Sequence, residues 1–264
     1  MVMASFLHRG TSAAKRTGRP RKERVIVRTI SRLMAVVLLV LGLSTGKAFA
    51  SGLDIRLGAY LPSADSDLFQ DINSLYARGA TFGNATPPGV QKSDWHGFFG
   101  GIEYNHKVAK NVELGVSIEG YGKHLDTSYR DYVREDDSPI QQTLHLSVIP
   151  VGLSVRFVPT SRNVKFAPFV VLGVDAMVYK YEEFGDFVDF FAPDQPIVPD
   201  SFISDGVGFG FHAGGGLRFG VSDDVSVVTE GRYFWSKKDM GDDFSQNRID
   251  LGGWALTAGV HIRF

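Results

Sequence analysis

Residues 252–264 read Gly252-Gly253-Trp254-Ala255-Leu256-Thr257-Ala258-Gly259-Val260-His261-Ile262-Arg263-Phe264. Gly252, Trp254, Leu256, Ala258, Val260, Ile262 and Phe264 form one alternate set, all apolar or glycine. The intervening set, Gly253, Ala255, Thr257, Gly259, His261 and Arg263, is small or polar. Successive side chains of a strand point to opposite faces, so this stretch is a strand with one apolar face and one polar or crowded face. A strand of a water-soluble sandwich shows the same alternation, so the rest of the chain has to decide which solvent the apolar face meets.

Working back from this strand, the pattern recurs. Apolar alternation marks strands near 53–61, 95–107, 112–121, 140–157, 165–181, 208–219 and 225–235, which makes eight with the last. The connections alternate in length. Those at 62–94, 124–138, 183–205 and 237–247 are long, and those at 108–111, 159–163 and 221–224 are short. Within 62–94, Leu68, Ile72, Leu75 and Tyr76 have helical spacing, which predicts a short helix between Asp67 and Ala77. In the fourth strand the apolar set changes phase at Pro150, from Leu144, Leu146 and Val148 to Val151, Leu153, Val155 and Phe157. A bulge at Ile149-Pro150 is the expected cause, because proline within a sheet is confined to edges and bulges.

An even antiparallel meander of about ten-residue strands, with long and short connections in alternation, is the layout of an eight-stranded up-and-down transmembrane β-barrel. Tyr60, Tyr104, Tyr121, Tyr179, Tyr233, Trp235 and Trp254 lie towards strand ends, where an interfacial aromatic girdle is expected. With the apolar sets facing lipid, the lumen receives Arg56, Glu103, Glu119, Arg156, Asp175, Arg218, Glu230 and Arg232. Eight strands enclose only enough space for their own side chains, so these charges are expected to pair and plug the barrel rather than line a pore. Gly208, Gly210, Gly214 and Gly216 leave room for a local cavity.

Charge is unevenly distributed. Of 28 Lys/Arg and 29 Asp/Glu, ten and one lie in residues 1–50, leaving 18 basic against 28 acidic residues after them. An acidic body gives no basic face for nucleic acid. The basic leader reads as a signal peptide with a long charged region. Arg24, Arg28 and Arg32 precede an apolar run, Leu33 to Leu43, and Ala48-Phe49-Ala50 places cleavage before Ser51. That run falls short of the ~20 residues a spanning helix needs. The expected division is therefore 1–50 signal peptide and 51–264 barrel, with residence in the bacterial outer membrane. The chain has no cysteine, and His96, His106 and His124 lack a metal spacing. Gly208-Phe209-Gly210 lacks the following helix of a dinucleotide site. No cofactor or metal is expected, and the acids Glu135-Asp136-Asp137 and Asp242-Asp243 read as solvated loop residues.

Residues 51–264 resemble the small outer-membrane barrels of the OmpX, OmpW and opacity-protein kind, in the signal peptide, the four hairpins, Ile149-Pro150-Val151 and the terminal Phe264. Thr257, Gly259, Ile262 and Phe264 are similar to the C-terminal signal that such barrels present to the barrel assembly machinery. The resemblance implies a platform embedded among outer-membrane lipid and lipopolysaccharide. It also implies non-enzymatic work in the envelope or at the surface, done through long loops. Phe184, Phe187, Phe190 and Phe191 are the expected contact residues for a surface ligand, since aromatics supply much interface energy. Two alternatives stand beside it. One is a narrow transporter of small hydrophobic solutes, prompted by the glycines and phenylalanines. The other is a lipid A-modifying enzyme, prompted by His145-Leu146-Ser147 on one strand face. The similar deacylase motif continues Asn-Ala, whereas this chain continues Val148-Ile149.

Overall fold

The computed structural model describes residues 51–78, 88–159, 165–190, 192–240, 244 and 247–264. The expected signal peptide, residues 1–50, lies outside them, as do Phe191 and Asp242-Asp243. Along the chain run β1 (Ser51–Pro62), α1 (Asp67–Leu75), β2 (Tyr76–Arg78), β3 (Gly97–Ala109), β4 (Val112–Val133) and β5 (Pro139–Phe157). They are followed by β6 (Phe166–Val188), β7 (Ile197–Gly220), β8 (Val225–Asp239), β9 (Arg248–Asp250) and β10 (Gly253–Arg263). Eight of the strands close a ring of antiparallel neighbours, β10-β1-β3-β4-β5-β6-β7-β8, in which β10 pairs with both β1 and β8. Among the described residues no helix is long and apolar enough to cross a membrane.

The apolar face of the C-terminal strand points out of the ring. Trp254, Leu256, Val260, Ile262 and Phe264 are all exposed, while Ala255 and His261 are buried in the lumen. The same orientation runs around the barrel through Ile55, Ile102, Ile118, Leu153, Leu172 and Phe211. Exposed apolar side chains in an unbroken belt need a hydrocarbon solvent.

Four strands outgrow the bilayer. β4, β5, β6 and β7 have 22, 19, 23 and 24 residues, about twice what a tilted span requires. Much of 124–138 and 183–205 is therefore strand and not loop: the hairpins turn at 134–138 and at 189–196. Above the membrane these strands stand in water outside and against protein inside, so their polarity inverts.

The inversion explains Pro150. The β4–β5 register runs unshifted from Ile118↔Val151 to Tyr121↔Val148, and the β5–β6 register is continuous through Pro150↔Met177. There is no bulge at Ile149-Pro150. Leu144, Leu146, Val148 and Pro150 face inward, as do Gly152, Ser154 and Arg156 below them. The apolar set changes because its surroundings change, not because the strand slips.

An apolar core fills the upper lumen. Leu68, Phe69 and Ile72 on α1 are buried against it, which gives the predicted helix its role as a cap. Phe69 meets Trp95 edge-on at 5.4 Å, and Tyr181 meets Phe244 at 5.6 Å. Tyr60, Tyr121 and Tyr179 belong to this core rather than to a girdle. Their hydroxyls find partners inside: Tyr60 donates to the Leu251 carbonyl at 2.7 Å, and Tyr121 to that of Trp95. Of the expected girdle, Tyr233, Trp235 and Trp254 do cluster on the outer wall, with rings 4.5 and 5.2 Å apart, and Tyr104 lies 6.4 Å from the Phe264 ring.

Candidate functional site

The lumen holds the candidate site, in two layers. In the lower one, at membrane depth, three buried arginines each bind three acids. Arg56 donates to Glu230 at 2.5 Å, Glu103 at 2.6 Å and Glu119 at 2.8 Å. Arg156 donates to Asp54 at 2.9 Å, Glu103 at 3.0 Å and Glu230 at 3.2 Å. Arg232 donates to Glu230 at 2.6 Å, Glu103 at 2.8 Å and Glu119 at 3.3 Å. Planar guanidinium groups suit this because their donors fan out to several carboxylates at once. Arg156 also stacks 4.4 Å from the Phe169 ring. His261, from the decisive C-terminal strand, closes one flank by donating to Asp54 at 2.5 Å.

Arg218 borders this net on the short-turn side, paired with Glu113 at 3.0 Å and lying 3.8 Å from Asp54. Asp175 sits one level higher and accepts from His212 at 2.7 Å. Glycine is required beside that pair: a Cβ on Gly152 would stand 2.7 Å from Asp175 Oδ1, and one on Gly173 would meet the His212 ring at 2.4 Å. The four β7 glycines expected to leave a cavity are closely approached, Gly208 by the Ser236 hydroxyl at 3.1 Å from where a Cβ would stand. At Gly216 a Cβ would meet Phe169 at 2.6 Å, and at Gly210 and Gly214 the neighbouring β8 backbone at 2.4 Å. Below the network a cavity of about 590 Å³ opens at the short-turn end, lined by Asn105, Lys107, Lys165, Arg218, His261 and Arg263.

The upper layer contains a fully buried acid, Glu183, that has no cationic partner among the described residues. Glu183 accepts from Tyr181 at 2.7 Å and from Tyr76, just after α1, at 3.3 Å. Burial pushes its carboxyl up to about 7, and the two tyrosine hydroxyls offset this only in part. Lys180 and Glu182 face water on the outer side of the same stretch, so Glu183 lies above the lipid-facing belt.

The expected surface aromatics divide. Phe184 is exposed, Phe187 is buried against Phe202 at 5.0 Å, and Phe190 is half-buried against Tyr132 at 5.1 Å. At the neighbouring hairpin tip Arg134 binds Asp186. Among the described residues no three His, Cys, Asp or Glu side chains converge as a metal set. Sequence spacing misses one grouping on the outer wall: His124, His145 and Glu182 are direct cross-strand partners. The two imidazoles stack at 4.0 Å, and His145 Nδ1 donates to Glu182 at 3.1 Å. Strand pairing brings them together from positions far apart in the chain.

Comparison with known proteins agrees with this architecture. Residues 35–264 match the family described as outer membrane protein beta-barrel domain. No curated protein matches the sequence. Among solved structures, OprG of Pseudomonas aeruginosa is similar at 11% identity and TM-score 0.47, over 83% of this chain and 97% of that one. Outer membrane protein W of E. coli is similar at 14% identity and TM-score 0.40, over 83% of this chain and 100% of that one. With the family match extending over every barrel strand, the chain belongs to the outer-membrane β-barrel family and resides in the bacterial outer membrane.

Proposed function

We propose that this protein is a non-conducting platform of the outer membrane, which stabilises the envelope and binds a surface ligand through its extracellular extension. The observation that carries the reading is the double seal: an arginine–carboxylate layer at membrane depth and an aromatic layer capped by α1 above it. Either layer alone fills the cross-section of an eight-stranded ring. In this reading the work is done by binding, not by catalysis in the lumen. The paired hairpins of β4–β5 and β6–β7 carry the contact surface, with Phe184, Val133 and Val198 as its exposed apolar residues. Lipid and lipopolysaccharide surround the belt. Thr257, Gly259, Ile262 and Phe264 serve recognition by the assembly machinery before β10 pairs with β1 and β8.

Planar-bilayer recording tests the seal. The expected result is no steady conductance above that of protein-free membrane, and a stable open channel of large conductance removes the reading.

A further inference from the structure

The cavity at the short-turn end is a cup set inside the ring. It exists because the inward positions nearest the turns are small on four strands: Gly52 on β1, Ala167 on β6, Gly220 on β7 and Ser226 on β8. Gly52 is held to glycine by His261, whose ring would stand 2.3 Å from a Cβ there. Short turns mark the periplasmic side of an outer-membrane barrel, so the cup faces the periplasm. Charge in it runs against the rest of the chain. Beyond residue 50 the sequence holds 18 Lys/Arg against 28 Asp/Glu, yet the cup gathers Lys107, Lys110, Lys165, Arg218 and Arg263 against Glu113, Asp223 and Asp224. Glu113 is already taken, since Arg218 Nη1 donates to it at 3.0 Å and Arg156 stands 4.0 Å away. Lys110 and Lys165 stand exposed at the rim. A concave mouth with this excess of cations concentrates anions.

Two orphaned groups in the wall of the cup narrow the kind of anion. Arg218 is 8% exposed, and its Nε and Nη2 donate no hydrogen bond among the described residues. Those two atoms form one edge of the guanidinium, the fork that takes two oxygens of a phosphate. Asn105 is 2% exposed and donates from Nδ2 to Asp54 at 3.1 Å, while its Oδ1 accepts no hydrogen bond there. Buried polar atoms left without partners are costly, so both are satisfied best by a ligand. The arginine edge calls for an oxyanion and the amide oxygen for a hydroxyl, and one molecule supplies both when it joins them. The volume of about 590 Å³ is far more than a bare phosphate ion fills and lies in the range of small-ligand sites.

We propose that this periplasmic cup binds the phosphate ester of a polyol. The phosphate sits on the free edge of Arg218, within reach of the rim cations Lys110, Lys165 and Arg263, and a hydroxyl of the polyol donates to Asn105 Oδ1. The same chemistry is offered by a free solute and by the headgroup of an inner-leaflet lipid. The site is independent of whatever the extracellular hairpins bind, because the arginine layer and the aromatic layer both lie between them.

The test titrates glycerol phosphate into the full chain folded in dodecyl maltoside micelles, followed by isothermal calorimetry and phosphorus NMR. Saturable binding is expected, weaker for inorganic phosphate and absent for glycerol. Arg218→Gln should lower the affinity about 10-fold or more, the scale of a lost charge-assisted hydrogen bond. That variant also leaves Glu113 unpaired, so Lys110→Gln combined with Lys165→Gln provides a second, on exposed rim residues whose loss does not disturb the barrel. It should weaken binding several-fold at low salt and flatten the salt dependence. Repeating the titration in nanodiscs separates the two sources. If phosphatidylglycerol blocks glycerol phosphate where phosphatidylcholine does not, the site takes a lipid headgroup; equal binding in both lipids means a free solute, and either result supports the site. The proposal is overturned by no saturable binding to the unaltered protein, by equal affinity for inorganic phosphate, or by binding that both variants leave unchanged.

Discussion

The Tyr76 hydroxyl donates to the Glu183 carboxylate at 3.3 Å and so ties the segment behind helix α1 to the barrel wall. Among the described residues the acid has no cationic partner, and burial holds its carboxyl at about 7, above the ordinary 4.5. A pKa raised by folding means that the folded state binds the proton more tightly than the unfolded one. Its stability is therefore greatest below about 4.5, falls as pH rises, and reaches its full penalty above about 7. The difference corresponds to ~3 kcal/mol as an upper figure. Hydrogen exchange of the α1 amides should quicken between pH 5 and pH 8, and Glu183→Gln should flatten that dependence. An equal slope in the variant rules out Glu183 as its source.

Removing one cation from the lower layer should be severe. Arg156→Met leaves Asp54, Glu103 and Glu230 short of a shared partner in a dry interior. A loss of about 3–5 kcal/mol is expected in reversible urea unfolding from bilayers, because the remaining charges stay buried.

The two seals act in series, so neither alone controls permeation. Deleting 66–78 should leave conductance unchanged because the arginine layer persists. Arg56→Ala with Arg232→Ala should also leave it unchanged, because the aromatic layer persists. Single-channel recording of the combined variant should show openings absent from both parents.

Depth can be read by lysine substitution. Leu172 faces lipid and Phe184 faces water on the same side of β6. Leu172→Lys should cost about 2–4 kcal/mol in bilayer refolding, and Phe184→Lys about 0–1 kcal/mol. Similar costs at both positions would displace the belt from where we have put it.

The barrel was legible because its membrane half obeys one rule, apolar out and charged in. Trp254, Leu256 and Val260 on β10 and Val170, Leu172 and Val174 on β6 follow it. The upper half was not legible, because the rule reverses there while the hydropathy looks the same. Leu144, Leu146 and Val148 read like lipid-facing residues and are core. Tyr60, Tyr121 and Tyr179 read like a girdle and are core for the same reason. Glu182 and Glu183 fall at the start of a stretch that reads as loop, so neither the outer-wall contact with His145 nor the buried acid had a sequence signal. Pairing of His124 with His145 depends on strand register, which spacing along the chain does not encode.

The polarity reversal at Pro150 makes β5 a depth gauge. Between Ser147 and Ile149 the outward side chain passes from wet to greasy, which fixes the waterline on the wall to within a single pleat. A thicker membrane would drown His145, Lys180 and Glu182, and a thinner one would strand Ile149 and Phe209 in water. The protein is thereby matched to one hydrocarbon thickness, and lipid composition should govern how it tilts and with what it clusters.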